Sequence, residues 1–213
     1  MTESSKRHVQ RKSHREVFEK REIYAILDEG KVAHVGFNDP DSNEPVVIPV
    51  AYARNGDSIL IHGSTGSRMF LALKSGIKVC ITITLLDGLV AARSANHCSM
   101  NYRSVMVFGI PQILEGAEKV SALEKITNSL IPGLWENVRE MSKKEEAQTM
   151  VLSLALDEIS AKKREGDAID DEDDLNLPTW AGYLPVTSVI GKPITNKNAE
   201  HLSVPEYIKD IVR

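Results

Sequence analysis

Two short stretches hold side chains whose types and spacing suit chemistry. The first is IHGSTGSRM, residues 61–69, where an apolar run ends at His62 and is followed by two glycines, three hydroxyls and Arg68. Backbone N–H groups at a helix start, hydroxyl donors and one cation together suit a phosphate. The same residues also describe an ordinary helix cap with a surface arginine. The second is NHCSMNYRSVMVFG, residues 96–109, which sets Ser99, Asn101, Tyr102, Arg103 and Ser104 at the start of a strand. A turn needs one or two such residues, so the surplus asks for a polar ligand or polar partners.

Other chemistries find less support. The six histidines, His8, His14, His34, His62, His97 and His201, are scattered, and none lies four residues from another histidine or a cysteine. His97 and Cys98 are neighbours, which points them to opposite sides of a strand. No metal site is predicted on these spacings. The chain has no phosphate-binding loop of the nucleotide-hydrolase type, no dinucleotide fingerprint and no nucleophile elbow.

The elements that must position these residues follow from periodicity. Residues 13–29 carry a helical apolar stripe at Val17, Ile23, Tyr24, Ile26 and Leu27, with Ser13 and Glu16 as a capping pair and Gly30 as a C-terminal cap. KVAHVGF reads as a strand, NDPDSNEP as a turn, and Val46–Ala53 with Ser58–His62 as a hairpin around Asn55-Gly56. Residues 67–76 form a short helix, and KVCITITLL, LVAARSAN and YRSVMVFGIPQIL form three strands. Glu115–Ile131 is helical and is ended by Pro132-Gly133; residues 143–148 are a short helix. MVLSLALDEIS reads as one strand. GDAIDDEDDLNLP reads as a solvated acidic loop, TWAGYLPVTSVIGKP as partly extended, and 192–213 as a tail. Short alternating strands joined by tight turns predict a mainly β fold with helical additions, a split antiparallel β-barrel rather than a parallel sheet.

Bulk composition narrows the partners. The chain has 213 residues, 42% hydrophobic and 26% charged, with a formal net charge of −4 and a pI near 5.9. An acidic balance argues against nucleic acid as the main partner. Two cysteines, Cys80 and Cys98, make no disulfide framework and suggest a reducing compartment. The start has no apolar signal core, and no apolar run reaches the roughly 20 residues of a membrane span. A cytoplasmic protein is expected, with nuclear location also open for the basic residues Lys6–Arg15. Residues 1–20 are read as a basic flexible arm, 21–190 as the domain and 191–213 as a tail.

Four blocks carry a family resemblance: VVIPVAYARNGDSILIHGSTGSRM, VCITITLLDGLVAARSANHCSMNYRSVMVFG, the KKREGDAIDDEDD run and LPTWAGYLPV. From about Arg21 to Pro185 the chain resembles the FMN-binding split-barrel superfamily. Within it the chain looks most like the subgroup related to pyridoxamine 5′-phosphate oxidase that includes the nitroimidazole-resistance (Nim) proteins. The resemblance implies FMN bound at a homodimer interface. Ser67 and Arg68 match the phosphate-binding pair, in a turn that includes Gly63 and Ser64. Val47, Ile48, Pro49 and Val50 match the strand passing the flavin ring. Arg103, Ser104 and Val105 match the oxidases' Arg-Gln-Val strand, with Ser104 where a glutamine hydrogen-bonds the flavin, and Thr82, Ser99 and Tyr102 join this cofactor set. Trp180 matches a late aromatic often given by the partner subunit, and His62 a histidine close to the flavin.

The departures bear on the reaction. Met69 stands where the oxidases carry a cation. Ile48 and Ala53 occupy the places of an arginine and a lysine, Leu134 replaces an arginine, and AGYLPVTSVIG has no arginine or histidine to clamp a substrate phosphate. The resemblance therefore implies a flavin-dependent oxidoreductase of unknown substrate, with His62 as a candidate catalytic proton donor. Production of pyridoxal phosphate is disfavoured. The alternatives are a flavin-binding storage or sensing module, and a haem-handling split barrel using His97 or Cys98.

Overall fold

Alternating apolar and polar positions build nine antiparallel strands across residues 13–212, the residues that this computed structural model describes. The strands are β1 (Val32–Asn38), β2 (Pro45–Asn55), β3 (Ser58–Ser64), β4 (Val79–Ala91), β5 (Ser99–Gly109), β6 (Gln112–Leu114), β7 (Thr149–Ala155), β8 (Glu158–Arg164) and β9 (Gly182–Pro185). They pair in the order β6-β7-β3-β2-β1-β4-β5-β8, and β9 adds to β4. The sheet curls into a split barrel. Its curl brings the end of β5 against β7, so that a Cβ on Gly109 would lie 2.9 Å from Leu154. Helices α1 (Lys20–Glu29), α2 (Arg68–Lys74), α3 (Gly116–Leu130), α4 (Lys143–Gln148) and α5 (Glu206–Lys209) are the additions.

The main core fills the inside of the curl. Ile26 and Leu27 of α1 and Phe70 and Leu73 of α2 pack with Val35, Ile81, Ile83, Val105 and Val107 from the strands. Each fully buried aliphatic side chain of this kind stabilises by about 1.5–3 kcal/mol. A second cluster sets Ala122, Leu123 and Ile126 of α3 against Ala53, Leu60 and Val151 on the other side of β2, β3 and β7. The split in pairing between Ile59 and Leu60 is the period-2 alternation of a strand buried on both faces.

Several local expectations give way to tertiary pairing. Helix α1 starts at Lys20, because the chain before it is drawn to β8: Glu16 bridges Lys162, and Val17 N–H donates to Ala161. Only Ser13–Arg15 makes a 3-10 turn there, and the arm expected over residues 1–20 falls largely outside the described residues. Gly30 does cap α1, its N–H donating to the Ile26 carbonyl at 3.1 Å, in an extended conformation. It is needed for close approach, since a Cβ would lie 2.5 Å from the Tyr52 hydroxyl.

The stretches read as two strands, KVCITITLL and LVAARSAN, are one thirteen-residue strand with a bulge between Leu86 and Gly88. MVLSLALDEIS is instead two strands, β7 and β8, which pair with β3 and β5 respectively. The acidic run is not wholly solvated either. Asp170 is buried and binds Arg93 twice, at 2.7 Å from its backbone N–H and 2.7 Å from Nη1.

The buried Tyr52 hydroxyl donates to the Leu27 carbonyl at 2.6 Å and ties α1 to β2. Tyr52→Phe is expected to lower stability by about 0.5–1.5 kcal/mol, read by urea denaturation.

Candidate functional site

Strands β2 and β3 stay together only at their shared turn. Tyr52–Asn55 pair with Ser58–Ile61, while β2 continues along β1 from Pro45 to Ala51 and β3 continues along β7 to Ser64. Among the described residues no strand pairs the second edge of Pro45–Ala51. Unpaired N–H and C=O groups on a strand edge are available for a ligand. Val47 and Pro49 point to the exposed side of this edge, whereas Ile48 and Val50 pack against the core.

Arg68 stands beside the start of that free edge. Its Nε contacts Asp39 Oδ2 at 2.8 Å, and Asp39 lies in the turn between β1 and β2. The Asp39 carboxylate is only 1% exposed and also accepts from the backbone N–H groups of Asp41 and Ser42. The Arg68 guanidinium, followed by these N–H groups, holds its carboxyl below the usual aspartate range. Arg68 Nε is therefore committed, while its Nη groups make no hydrogen bond within the described chain.

The glycine-rich turn is less open than its composition suggests. Thr65 N–H donates to Gln148, Gly66 N–H to Ser64 Oγ and Ser67 N–H to Ser64 O. What remains for a ligand is the Ser67 hydroxyl, which makes no cap, and the outer edge of Arg68. Gly63 is set by packing. A Cβ there would fall 2.3 Å from the Phe70 ring, which seats α2 on β3. His62 is half-buried on the same side as Leu60, opposite Val151, and its buried Nδ1 has no partner. Burial lowers the His62 pKa, so the imidazole is neutral at pH 7.

The outer face of the sheet continues the site. Pro49, His34, Thr82 and Met106 stand side by side across β2, β1, β4 and β5. Val47, Met106 and Val32 are exposed there, at 65%, 36% and 49%. Ser104 donates to the Ile83 carbonyl at 3.0 Å and shares a 3.1 Å hydrogen bond with Thr84.

The other predicted residues lie elsewhere. Arg103 is gripped by Asp87 in the β4 bulge and by Glu29 at the end of α1. Asn101, which sequence reasoning left without a role, binds the Arg164 guanidinium and the Gly166 carbonyl. Tyr102 stands opposite Leu86, and Ser99 opposite Val90 near the far end of β4. Trp180 is 65% exposed and lies over Gly182, which pairs with Ala91. Gly36 beside the Arg68 end pairs with Cys80, so Trp180 sits a further eleven residues along β4, roughly 35 Å in a strand. One chain does not bring Trp180 to Arg68. Among the described residues no group of three or more His, Cys, Asp or Glu would hold a metal ion, and no helix is long and apolar enough to cross a membrane.

The sequence family described as pyridoxamine 5′-phosphate oxidase matches residues 19–163, which span β1 to β7 and all but the last residue of β8. The chain belongs to that family. The flavocytochrome Anf3 from Azotobacter vinelandii is 37% identical over 97% of this chain and 96% of its own, with a TM-score of 0.90. A FAD and haem binding protein from Mycobacterium smegmatis is 32% identical over 93% of this chain and 97% of its own, with a TM-score of 0.88. A protein assigned to 5-nitroimidazole antibiotic resistance in Bacteroides thetaiotaomicron shares the fold, at 22% identity over 69% of this chain and 85% of its own, with a TM-score of 0.58. No curated protein matches the chain.

Two outcomes follow from this geometry. Gly63→Ala is expected to cost about 1–3 kcal/mol through the Phe70 contact, measured without any ligand. His62 binds its proton more weakly folded than unfolded, so its burial makes stability fall as pH drops through the unfolded histidine value of about 6.5. His62→Gln should therefore reduce the loss of stability between pH 7 and 5, measured by urea titration at each pH.

Proposed function

We propose that this protein is a flavin-dependent redox protein that binds FMN at the interface of two copies of the chain. The observation that carries the reading is the unpaired edge of Pro45–Ala51 beside Arg68 and Ser67. A flavin fits that donor set. Backbone groups of Val47–Val50 that face the free edge, with Pro49 offering a carbonyl and no N–H, suit the ring's pyrimidine edge, and the Nη groups of Arg68 with the Ser67 hydroxyl suit its phosphate. Bound there, a flavin supplies reversible two-electron or one-electron transfer.

The protein's part is to bind, orient and shield. Thr82, Thr84 and Ser104 line the outer face with hydroxyls, and the apolar Val47, Pro49 and Met106 exclude water once covered. A second copy is the natural cover, because it also brings a Trp180 to an Arg68 that its own chain leaves far away. His62, neutral and holding a buried nitrogen without a partner, is the candidate to hold or pass a proton. The substrate class we favour is a small reducible aromatic, a nitroaromatic or quinone. The missing phosphate clamp in residues 181–191 argues against pyridoxamine phosphate.

A second reading adds haem to the flavin. It is favoured by the likeness to a flavocytochrome and to a FAD and haem binding protein. His97 would be the candidate to hold haem iron on this chain. It lines a cavity and carries a buried Nδ1 without a partner.

The test is an absorption spectrum of the purified protein, then with added FMN, FAD or haemin. Flavin bands near 370 and 450 nm that survive gel filtration are expected. Arg68→Ala should weaken FMN roughly 10-fold to 100-fold, the loss of a charge-assisted hydrogen-bond pair. A protein that ignores both flavins overturns the reading. Met106→Lys, which puts a charge on the outer face, should shift the mass from dimer to monomer in sedimentation and release the flavin. If Met106→Lys stays dimeric, this face is not the interface.

A further inference from the structure

At the end of β4 and β5 away from Arg68 lies a second cavity, of about 380 Å³, between the start of β5, the end of β8 and the loop after it. Arg15, Asn96, His97, Ser99, Arg164 and Ile169 line it. Arg164 is only 6% exposed. A guanidinium does not shed its charge at neutral pH, so a buried one needs an anion or several well-aimed dipoles.

The chain gives Arg164 only neutral partners. Its Nη1 donates to Asn101 Oδ1 and, at 3.4 Å, to the Gly166 carbonyl, and its Nη2 donates to the Asp167 carbonyl at 3.0 Å. No carboxylate pairs with it among the described residues, and its buried Nε has no acceptor. The nearby Arg15 guanidinium adds to the uncompensated charge; burial first, and then Arg15, push Arg164 below the ordinary arginine range. His97 contributes another buried ring nitrogen without a partner. The one acid on the rim, Asp171, is 77% exposed and sits 3.9 Å from His97 Nε2.

The walls are fixed in advance. Asp170 and Arg93 pin the loop after β8 to the loop after β4, and Asn101 locks Arg164 to β5. Two guanidiniums and an imidazole whose Nδ1 has no partner line a held cavity whose one lining acid is the exposed Asp171, a setting suited to negative oxygen.

We propose that this cavity binds the oxyanion group, phosphate or carboxylate, of a small molecule, as a site separate from the flavin site. Arg164 supplies a buried charge that no carboxylate of the described chain neutralises, Arg15 a second charge at the mouth, and Ser99 and Asn96 neutral donors.

The probe is inorganic phosphate, titrated against the flavin-loaded protein and followed by melting temperature, with sodium chloride at matched ionic strength as the reference. Phosphate is expected to raise the melting temperature where chloride does not. Arg15→Gln leaves the Arg164–Asn101 lock intact and should weaken the phosphate response about tenfold, the loss of one charge-assisted contact. Arg164→Met should abolish it; if that variant fails to fold, Arg15→Gln alone decides.

Haemin tells the source of the anion. A Soret band that phosphate competes away and Arg15→Gln weakens assigns the oxyanion to haem propionates. A phosphate response without a Soret band assigns it to a free small anion. Equal responses to phosphate and chloride, or a phosphate response untouched by Arg15→Gln, overturn the proposal.

Discussion

A thirteen-residue strand sets the terms for this molecule. β4 pairs with β1 and β5 and takes β9 at its far end, so it runs the length of the sheet. Its inner side chains, Val79, Ile81 and Ile83, are almost fully buried by α1, α2 and the curl of the sheet. Its outer side chains in the same stretch, Cys80, Thr82 and Thr84, are small and semi-polar. α1 and α2 cover the inner face and α3 the other side of β2, β3 and β7, which leaves Val32, Val47 and Met106 exposed on the outer face. The strand's length also keeps the two ends of the site apart within one chain.

The polar run at the start of β5 shows how that strand is anchored. Arg103 joins three elements at once, reaching Asp87 sixteen residues back and Glu29 seventy-four residues back. Asn101 holds Arg164, sixty-three residues on. Ser104 ties its hydroxyl to the neighbouring strand. These partners within the chain account for much of the polar surplus at the start of β5, which composition leaves open between a ligand and polar partners. Which side chains of β5 are free depends on elements distant in sequence. That information is not local, and no spacing rule carries it.

Where local chemistry decides, the sequence was legible. Asn55-Gly56 makes the hairpin, with Gly56 at φ 56°, and Ser142 with Glu145 caps α4. β-branched alternation marks β4 and β5, and Pro132-Gly133 ends α3 within a residue of expectation. Where partners decide, it was not. Val17 obeys the helical stripe yet belongs to the edge of β8. Leu156-Asp157 splits an apolar run because the halves have different neighbours, β3 and β5. Asp170 looks like one more solvated acid and is the most buried of its run, because Arg93 awaits it.

The two arginines that matter most for ligands invert the usual expectation. Arg68 is 73% exposed and looks free, but a buried aspartate already holds its Nε and leaves it one edge to offer. Arg164 is buried and looks structural, yet its charge meets only carbonyl and amide oxygens, and its Nε meets nothing. Exposure measures how easily a ligand reaches a charge, while the partner list measures how much of that charge is left to bind it. Desolvation raises the value of what is left, because an interaction weakened by water at Arg68 is stronger in the dry surroundings of Arg164. The two proposed sites thus rest on opposite kinds of cation, a half-neutralised one near one end of the long strand and an unneutralised one toward the other.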